Sequence, residues 1–291
     1  MHSVPSEFQY HPFNELMSTT AHPDVLANTQ RVLGYDGSAL LHSARTLYEK
    51  HCLENKPGTG KKRIPKIVHQ IWIGGSCPEV FKKYLKSWRE KHPEWTYVLW
   101  DDESIASLFP LYNQKYYDET VGLGAKSDLL RWEIVYRYGG VYADVDFECL
   151  RSLDDLIHLD FFTAFQPYDA YFVQLGAAIF AAVPGHPVLK HCIETIEDDW
   201  HHKGAPKKTG PVHFSKSFMA VAGKDASRDV AFPAPYFYPL GSTEQKLCYD
   251  RWISSGAFAV HHWAKSWMPR HHRRVEFRSF DNVASSSVWN E

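Results

Sequence analysis

Between residues 64 and 147, short apolar runs alternate with amphipathic stretches of helical period, and few folds accommodate that alternation. Residues 66–73 (KIVHQIWI) read as a buried strand closed by Gly74-Gly75. Residues 78–92 read as a helix, with Pro78 near its first turn and Pro93 past its end. Residues 95–100 (WTYVLW) read as a second strand, 124–138 as a helix stopped by Gly139-Gly140, and 141–147 as a strand again. Strand, helix, strand, helix, strand predicts an α/β fold: a mostly parallel central sheet flanked by helices. Ligands of such sheets lie beyond the carboxyl ends of the strands. After residue 150 the pattern loosens. It predicts short strands near 161–165, 171–175 and 257–261, and helices near 186–200 and 211–222.

Residues 1–60 read as a helical appendage and 61–291 as the main domain. In residues 38–53, Leu40, Leu41, Ala44, Leu47 and Tyr48 form one apolar stripe, and residues 55–62 (NKPGTGKK) read as a linker. The cluster Lys61, Lys62, Arg63 and Lys66 reads as a solvated approach to the first strand. The 291 residues carry 32 Lys and Arg against 34 Asp and Glu, a net charge of −2. That balance argues against nucleic-acid binding driven by bulk charge. Five cysteines (Cys52, Cys77, Cys149, Cys192, Cys248) are odd in number and lack a C-x-x-C pair, which favours a reducing compartment. No basic-then-apolar leader opens the sequence, and the longest apolar stretch, 171–183, falls short of the roughly 20 residues of a span. The expectation is a cytoplasmic protein; peripheral attachment to a membrane surface stays open.

The segment 138–148 (YGGVYADVDFE) carries the chemistry. Read as a strand, it points Val141, Ala143, Val145 and Phe147 to one side and Tyr142, Asp144, Asp146 and Glu148 to the other. Two half-buried carboxylates side by side repel each other, and a hard divalent cation, Mn²⁺ or Mg²⁺, relieves that repulsion. The plain alternative is an amphipathic strand whose polar face meets water. One helix upstream, Asp128 and Arg131 share a face at i and i+3 among apolar neighbours. They form either an ion pair within the helix or a grip on hydroxyl or phosphate groups, to which an Arg fork gives directional bonds.

With these residues in place, IPKIVHQIWIGG (64–75), HPEWTYVLWDD (92–102), SDLLRWEIVYRYGGVYADVDFECLRSLDDL (127–156) and HHWAKSW (261–267) resemble family 32 glycosyltransferases, the group with a sugar-binding region containing a DXD motif. That group includes fungal α-mannosyltransferases acting on glycans or inositol phosphoceramide, with the clostridial glucosylating toxins as distant relatives. The resemblance is close over residues 64–156 and patchy to Trp267. It implies a GT-A type nucleotide-sugar-binding fold and metal-dependent, retaining transfer of a hexose. The implied donors are GDP-mannose first and UDP-hexoses next, and the implied acceptor is a glycan, a glycolipid, or a protein should the chain be a secreted effector. It also implies catalytic roles for Asp128, Arg131, Asp144 and Asp146, and metal ligation by Asp144, Asp146 and His262. Donor contacts are implied for Trp72, Asp128, Arg131, Tyr142, Asp144, Lys265, Ser266 and Trp267. Relatives often carry Asn in the segment corresponding to 175–177, where this chain has Leu-Gly-Ala.

From the residues alone, Trp72 fits an ordinary core position as well as a stacking platform. His261 and His262 alternate faces if the segment is a strand, so one of them at most aims at a site. Two other functions share the carboxylates: a glycoside hydrolase, which needs neither nucleotide nor metal, and a non-catalytic carbohydrate- or nucleotide-binding module.

Overall fold

One six-stranded sheet organises the chain in a computed structural model that describes residues 9–20, 22–54, 61–202, 204–242 and 256–264. Strands β1 (Ile67–Ile71), β2 (Thr96–Trp100), β3 (Gly140–Ala143), β5 (Phe161–Phe165), β6 (Leu175–Ala182) and β7 (Asp229–Phe232) form one sheet in the order β2-β1-β3-β6-β5-β7. β1 pairs parallel with β2 and β3, and β5 parallel with β7; β6 runs antiparallel to both of its neighbours. Five of the six strands therefore share one direction, which gives the mostly parallel sheet that the sequence predicts. β4 (Phe147–Cys149) and β8 (Ala259–His261) form a separate antiparallel pair beside it.

The principal helices are α1 (Gly37–Tyr48), α2 (Glu79–Lys91), α3 (Leu123–Tyr138), α4 (Pro187–Glu194) and α5 (Pro211–Val221). α3 covers β1, β3 and β6, α5 covers β6, and α2 backs β4. In α1, capped by the Asp36 carboxylate on the Ser38 N–H at 2.8 Å, the i, i+4, i+8 stripe of Leu40, Ala44 and Tyr48 is buried against β7. The Tyr48 hydroxyl reaches Tyr236 at 3.2 Å and donates to the His11 carbonyl at 2.8 Å, so the N-terminal segment joins the main core. Within the basic cluster, which is exposed at residues 61–63, Arg63 pairs with Asp160 and Lys66 with Asp154 at 3.0 Å. Residues 55–60 of the expected linker and Cys248 lie outside the described residues; Cys52, Cys77, Cys149 and Cys192 are free thiols.

Three expectations are corrected and one strand is added. The strand expected over 141–147 stops at Ala143, where residues 144–146 turn and the Phe147 N–H closes on the Asp144 carbonyl at 2.9 Å. The turn sends Val145 out of the sheet into a small cluster with Phe81, Tyr84, Leu85 and Ala264. The strand expected over 171–175 is displaced: residues 171–174 are not strand, Tyr171 sits at φ 61°, and the strand runs from Leu175 to Ala182. The helix expected over 186–200 breaks at Thr195 into α4 and a short turn, Ile196–Asp199. Strand β7 went unread, being four residues long with an acid at its start.

Asp199 ties this second half together. Its carboxylate accepts from His213 Nδ1 at 2.8 Å and from Lys216 Nζ at 2.6 Å, joining the short 196–199 turn to α5. Burial opposes its charge, but these donors hold the carboxyl down at about 2. A depressed carboxyl stabilises the fold above its unfolded pKa and loses that contribution as pH falls through its folded one. Asp199→Asn is therefore expected to cost about 1.5–3 kcal/mol in urea unfolding at neutral pH. The gap to the wild type should close as pH approaches 2; a pH-independent gap would contradict this role.

Candidate active site

Two glycines and a buried amide set the position of Asp144. Gly139 and Gly140 adopt φ of 64° and 99°, and a Cβ on Gly140 would lie 2.6 Å from the Ile67 carbonyl oxygen. Only glycine lets β3 leave α3 and lie this close to β1. At the end of β3, the Asp144 N–H donates to the Ala178 carbonyl of β6 at 2.9 Å, and Gln70 Nε2 of β1 donates to the Asp144 carbonyl at 3.0 Å. Tyr97 of β2 fixes Gln70 in turn, its hydroxyl donating to Oε1 at 2.7 Å. The Asp144 backbone is thereby held from both sides at the carboxyl end of the parallel strands, where ligands of such sheets bind.

Behind that carboxylate lies a buried cation. Arg131 Nη2 pairs with Asp128 Oδ1 at 2.7 Å and approaches Asp144 Oδ1 at 3.5 Å, while Nη1 donates to the Ala177 carbonyl at 2.7 Å. Its guanidinium carbon lies 4.9 Å from the centroid of the Tyr142 ring, and the Tyr142 hydroxyl donates to Asp144 Oδ1 at 2.6 Å. Asp128 Oδ2 accepts from Thr209 at 3.0 Å. Burial disfavours the guanidinium charge, yet Asp144, Tyr142 and Asp128 together raise its pKa above the usual value. Burial pushes the Asp128 carboxyl up to about 6 against the pull of Arg131. Burial also raises Asp144, opposed by Arg131 and reinforced by the charge of Asp146. Of these side chains Asp144 is the most open, 28% exposed against 14% for Asp128 and 7% for Arg131.

Asp146 belongs to a second layer of contacts. His261 Nε2 meets its Oδ1 at 3.1 Å, and the Ala264 N–H donates to its Oδ2 at 2.7 Å. Burial alone would raise its pKa, but the charge and hydrogen bond of His261, with the Ala264 N–H, lower it. β4–β8 pairing sets Phe147 opposite His261, and the two rings stack at 4.7 Å. Asp144, Asp146 and His261 each offer one ligand atom, all within 4.8 Å of one another. Two carboxylate oxygens and an imidazole nitrogen suit Mn²⁺ better than Mg²⁺. His261 Nδ1 is buried without a hydrogen-bond partner among the described residues.

His262 takes a different place from the one expected. Its Nε2 meets Glu148 at 2.9 Å and its ring stacks on Tyr84 at 4.3 Å, so the imidazole beside the carboxylate pair is that of His261. Trp72 follows β1 and borders a shallow cavity of about 340 Å³ with Leu99, Cys77, Asp101 and Asp102. The Asp102 carboxylate accepts from the Gly74 and Gly75 N–H groups at 3.0 Å, which fixes that rim. Lys265, Ser266 and Trp267 lie outside the described residues.

Sequence reasoning missed Gln70, Tyr238 and the reason for Gly176. A Cβ at Gly176 would stand 1.9 Å from the Tyr238 hydroxyl oxygen. Tyr238 is fully buried and lies within electrostatic reach of Asp144 and Arg131. The tyrosine thus fills the space of any side chain at 176.

Comparison with known proteins bears on this geometry. Residues 78–162, which include Asp128, Arg131, Asp144 and Asp146, match the family described as glycosyltransferase sugar-binding region containing DXD motif. Inositol phosphoceramide mannosyltransferase 3 of Schizosaccharomyces pombe is 28% identical over 224 residues, 69% of this chain and 60% of that protein. The uncharacterized glycosyltransferase L373 of Acanthamoeba polyphaga mimivirus is 25% identical over 71% of this chain and 84% of its own length. Among solved structures, the PaToxG glycosyltransferase aligns over 65% of this chain and 79% of its own, at 17% identity and a TM-score of 0.49. The chain spans about half to 60% of the length of the fungal mannosyltransferases it matches.

Gly176→Ala is expected to displace Tyr238 and cost about 1–3 kcal/mol by overpacking. Chemical denaturation checks it; an unchanged midpoint would mean that Tyr238 is not fixed in this position. The resemblance to family 32 glycosyltransferases holds in the segment that carries both the carboxylate pair and the buried Arg131.

Proposed function

We propose that this chain is a metal-dependent glycosyltransferase that moves a hexose from a nucleotide sugar to an acceptor, with retention of configuration. The observation that carries the reading is the convergence of Asp144, Asp146 and His261 at the carboxyl end of the parallel strands, inside the matched DXD region. The arrangement supports a GT-A type reading of the fold. A divalent ion held by these residues would supply positive charge to a departing diphosphate.

The protein's own groups do the rest. Gln70 and the Ala178 carbonyl fix the Asp144 backbone, and Tyr142 and Arg131 fix its side chain, leaving its open edge toward the donor. Arg131 spends its donors on Asp128, Ser127, Ala177 and Asp144, so it acts by positioning these groups. Asp128 closes the sugar end of the site, and Trp72 offers its face to the base. Holding donor and acceptor in a reactive geometry is the larger part of the rate gain.

GDP-mannose is the first donor to test, on the strength of the fungal relatives, with UDP-hexoses next; the acceptor class follows as a glycan, glycolipid or protein. Among the described residues no helix is long and apolar enough to cross a membrane. A panel of nucleotide sugars assayed for release of the nucleoside diphosphate tests the reading. Turnover is expected with at least one donor, abolished by chelator and restored by Mn²⁺. Asp144→Asn should lower kcat by about 100-fold or more while the far-ultraviolet spectrum stays native. Chelator-resistant hydrolysis of a glycoside would favour the hydrolase reading, and binding without turnover would favour a binding module.

A further inference from the structure

Tyr238 faces the candidate site with its hydrogen bonding incomplete. It follows β7 and a short turn, Ala234–Tyr236, and is 1% exposed. Its ring meets Phe147 and His261 edge-on, at centroid distances of 5.2 and 5.6 Å. The hydroxyl end reaches past them to the start of β6, into the space that a Cβ on Gly176 would take. There it lies beside the Ala178 N–H and within electrostatic reach of Asp144, Arg131 and Asp146. Its own proton meets no acceptor among the described residues. The neighbouring carbonyls of β6 are already engaged: Gly176 by the Thr163 hydroxyl at 3.2 Å, Ala177 by Arg131 at 2.7 Å and Ala178 by the Asp144 N–H at 2.9 Å. Burial raises the phenol pKa well above its ordinary value, so the group keeps its proton and stays a donor.

We propose that the Tyr238 hydroxyl donates its proton to an oxygen of the bound hexosyl diphosphate, which makes Tyr238 a donor-binding residue and Gly176 the gap that admits it. The proposal rests on the glycosyl-transfer reading and names a further contact of that same site. A buried donor left without an acceptor destabilises a fold, and a phenylalanine would pack the same ring without that cost. The fold alone therefore gives the hydroxyl no use. Being buried, it gains a partner only from a group brought into the site. Its ring edge touches His261 of the carboxylate–imidazole cluster, and its oxygen lies toward Arg131 and Asp144, so an oxygen held between the cluster and Arg131 is within its range. A hydrogen bond to a phosphate oxygen there would be charge-assisted, and one to a sugar oxygen would orient the hexose.

The test compares the full chain with Tyr238→Phe, which keeps the ring and removes only the hydroxyl. Binding of GDP-mannose and of UDP-glucose is measured by calorimetry with Mn²⁺ present, and thermal stability is read without ligand. The variant is expected to bind the wild type's donor about tenfold more weakly. Its melting temperature should lie within about 3 °C of the wild type or above it. A hydroxyl that serves only the fold would do the reverse, so a melting temperature lowered by more than about 3 °C would overturn the proposal. Equal donor binding by the two proteins would overturn it and leave the transfer reading intact. Binding of neither donor by the wild type would reject that reading and this contact together.

Discussion

A buried guanidinium is tolerable only when its charge and its donors are met, and meeting those of Arg131 organises this molecule. Asp128 lies one turn away on the same helix, Asp144 directly follows β3, and the Ala177 carbonyl belongs to β6. One side chain thus ties the covering helix to two strands of the sheet. Removing it would strand two carboxylates in a low-dielectric site, where neither could stay ionised without another cation. The arrangement places its negative charge at the mouth, on Asp144, and its positive charge behind.

The rest of the site is built from close backbone approach. Glycines 139 and 140 bring β3 against β1, and Gly176 admits the Tyr238 ring to the floor of the site. The turn at 144–146 brings the two carboxylates together, while Val145 anchors the turn against α2. His261 arrives by strand pairing from more than a hundred residues away in sequence. The inner face of α2 supports both Val145 and the ring of His262.

Much of this was legible in the sequence because it is local. Apolar period and Gly or Pro stops gave β1, α2, β2, α3 and β3 in order, and the spacing of Asp128 and Arg131 gave their shared face. The turn at 144–146 was not legible: V-Y-A-D-V-D-F alternates whether it runs straight or folds back, and only the non-local pocket for Val145 decides. The choice of His261 over His262 is likewise set by register with Phe147, which no local pattern encodes. The partnership of Gly176 with Tyr238 joins residues far apart in the chain. Gln70 is a polar residue in an apolar strand, and its role comes from the non-local partners Tyr97 and the Asp144 carbonyl.

Asp144, Asp146 and His261 are proposed to hold a divalent ion that a nucleoside diphosphate completes. Electron paramagnetic resonance of Mn²⁺ titrated into the protein, with and without GDP or UDP, tests it most directly. Uptake of one Mn²⁺ is expected, tightened by the diphosphate and lost in Asp146→Asn. Absence of Mn²⁺ uptake in the presence of either diphosphate, or equal uptake by wild type and Asp146→Asn, would contradict it.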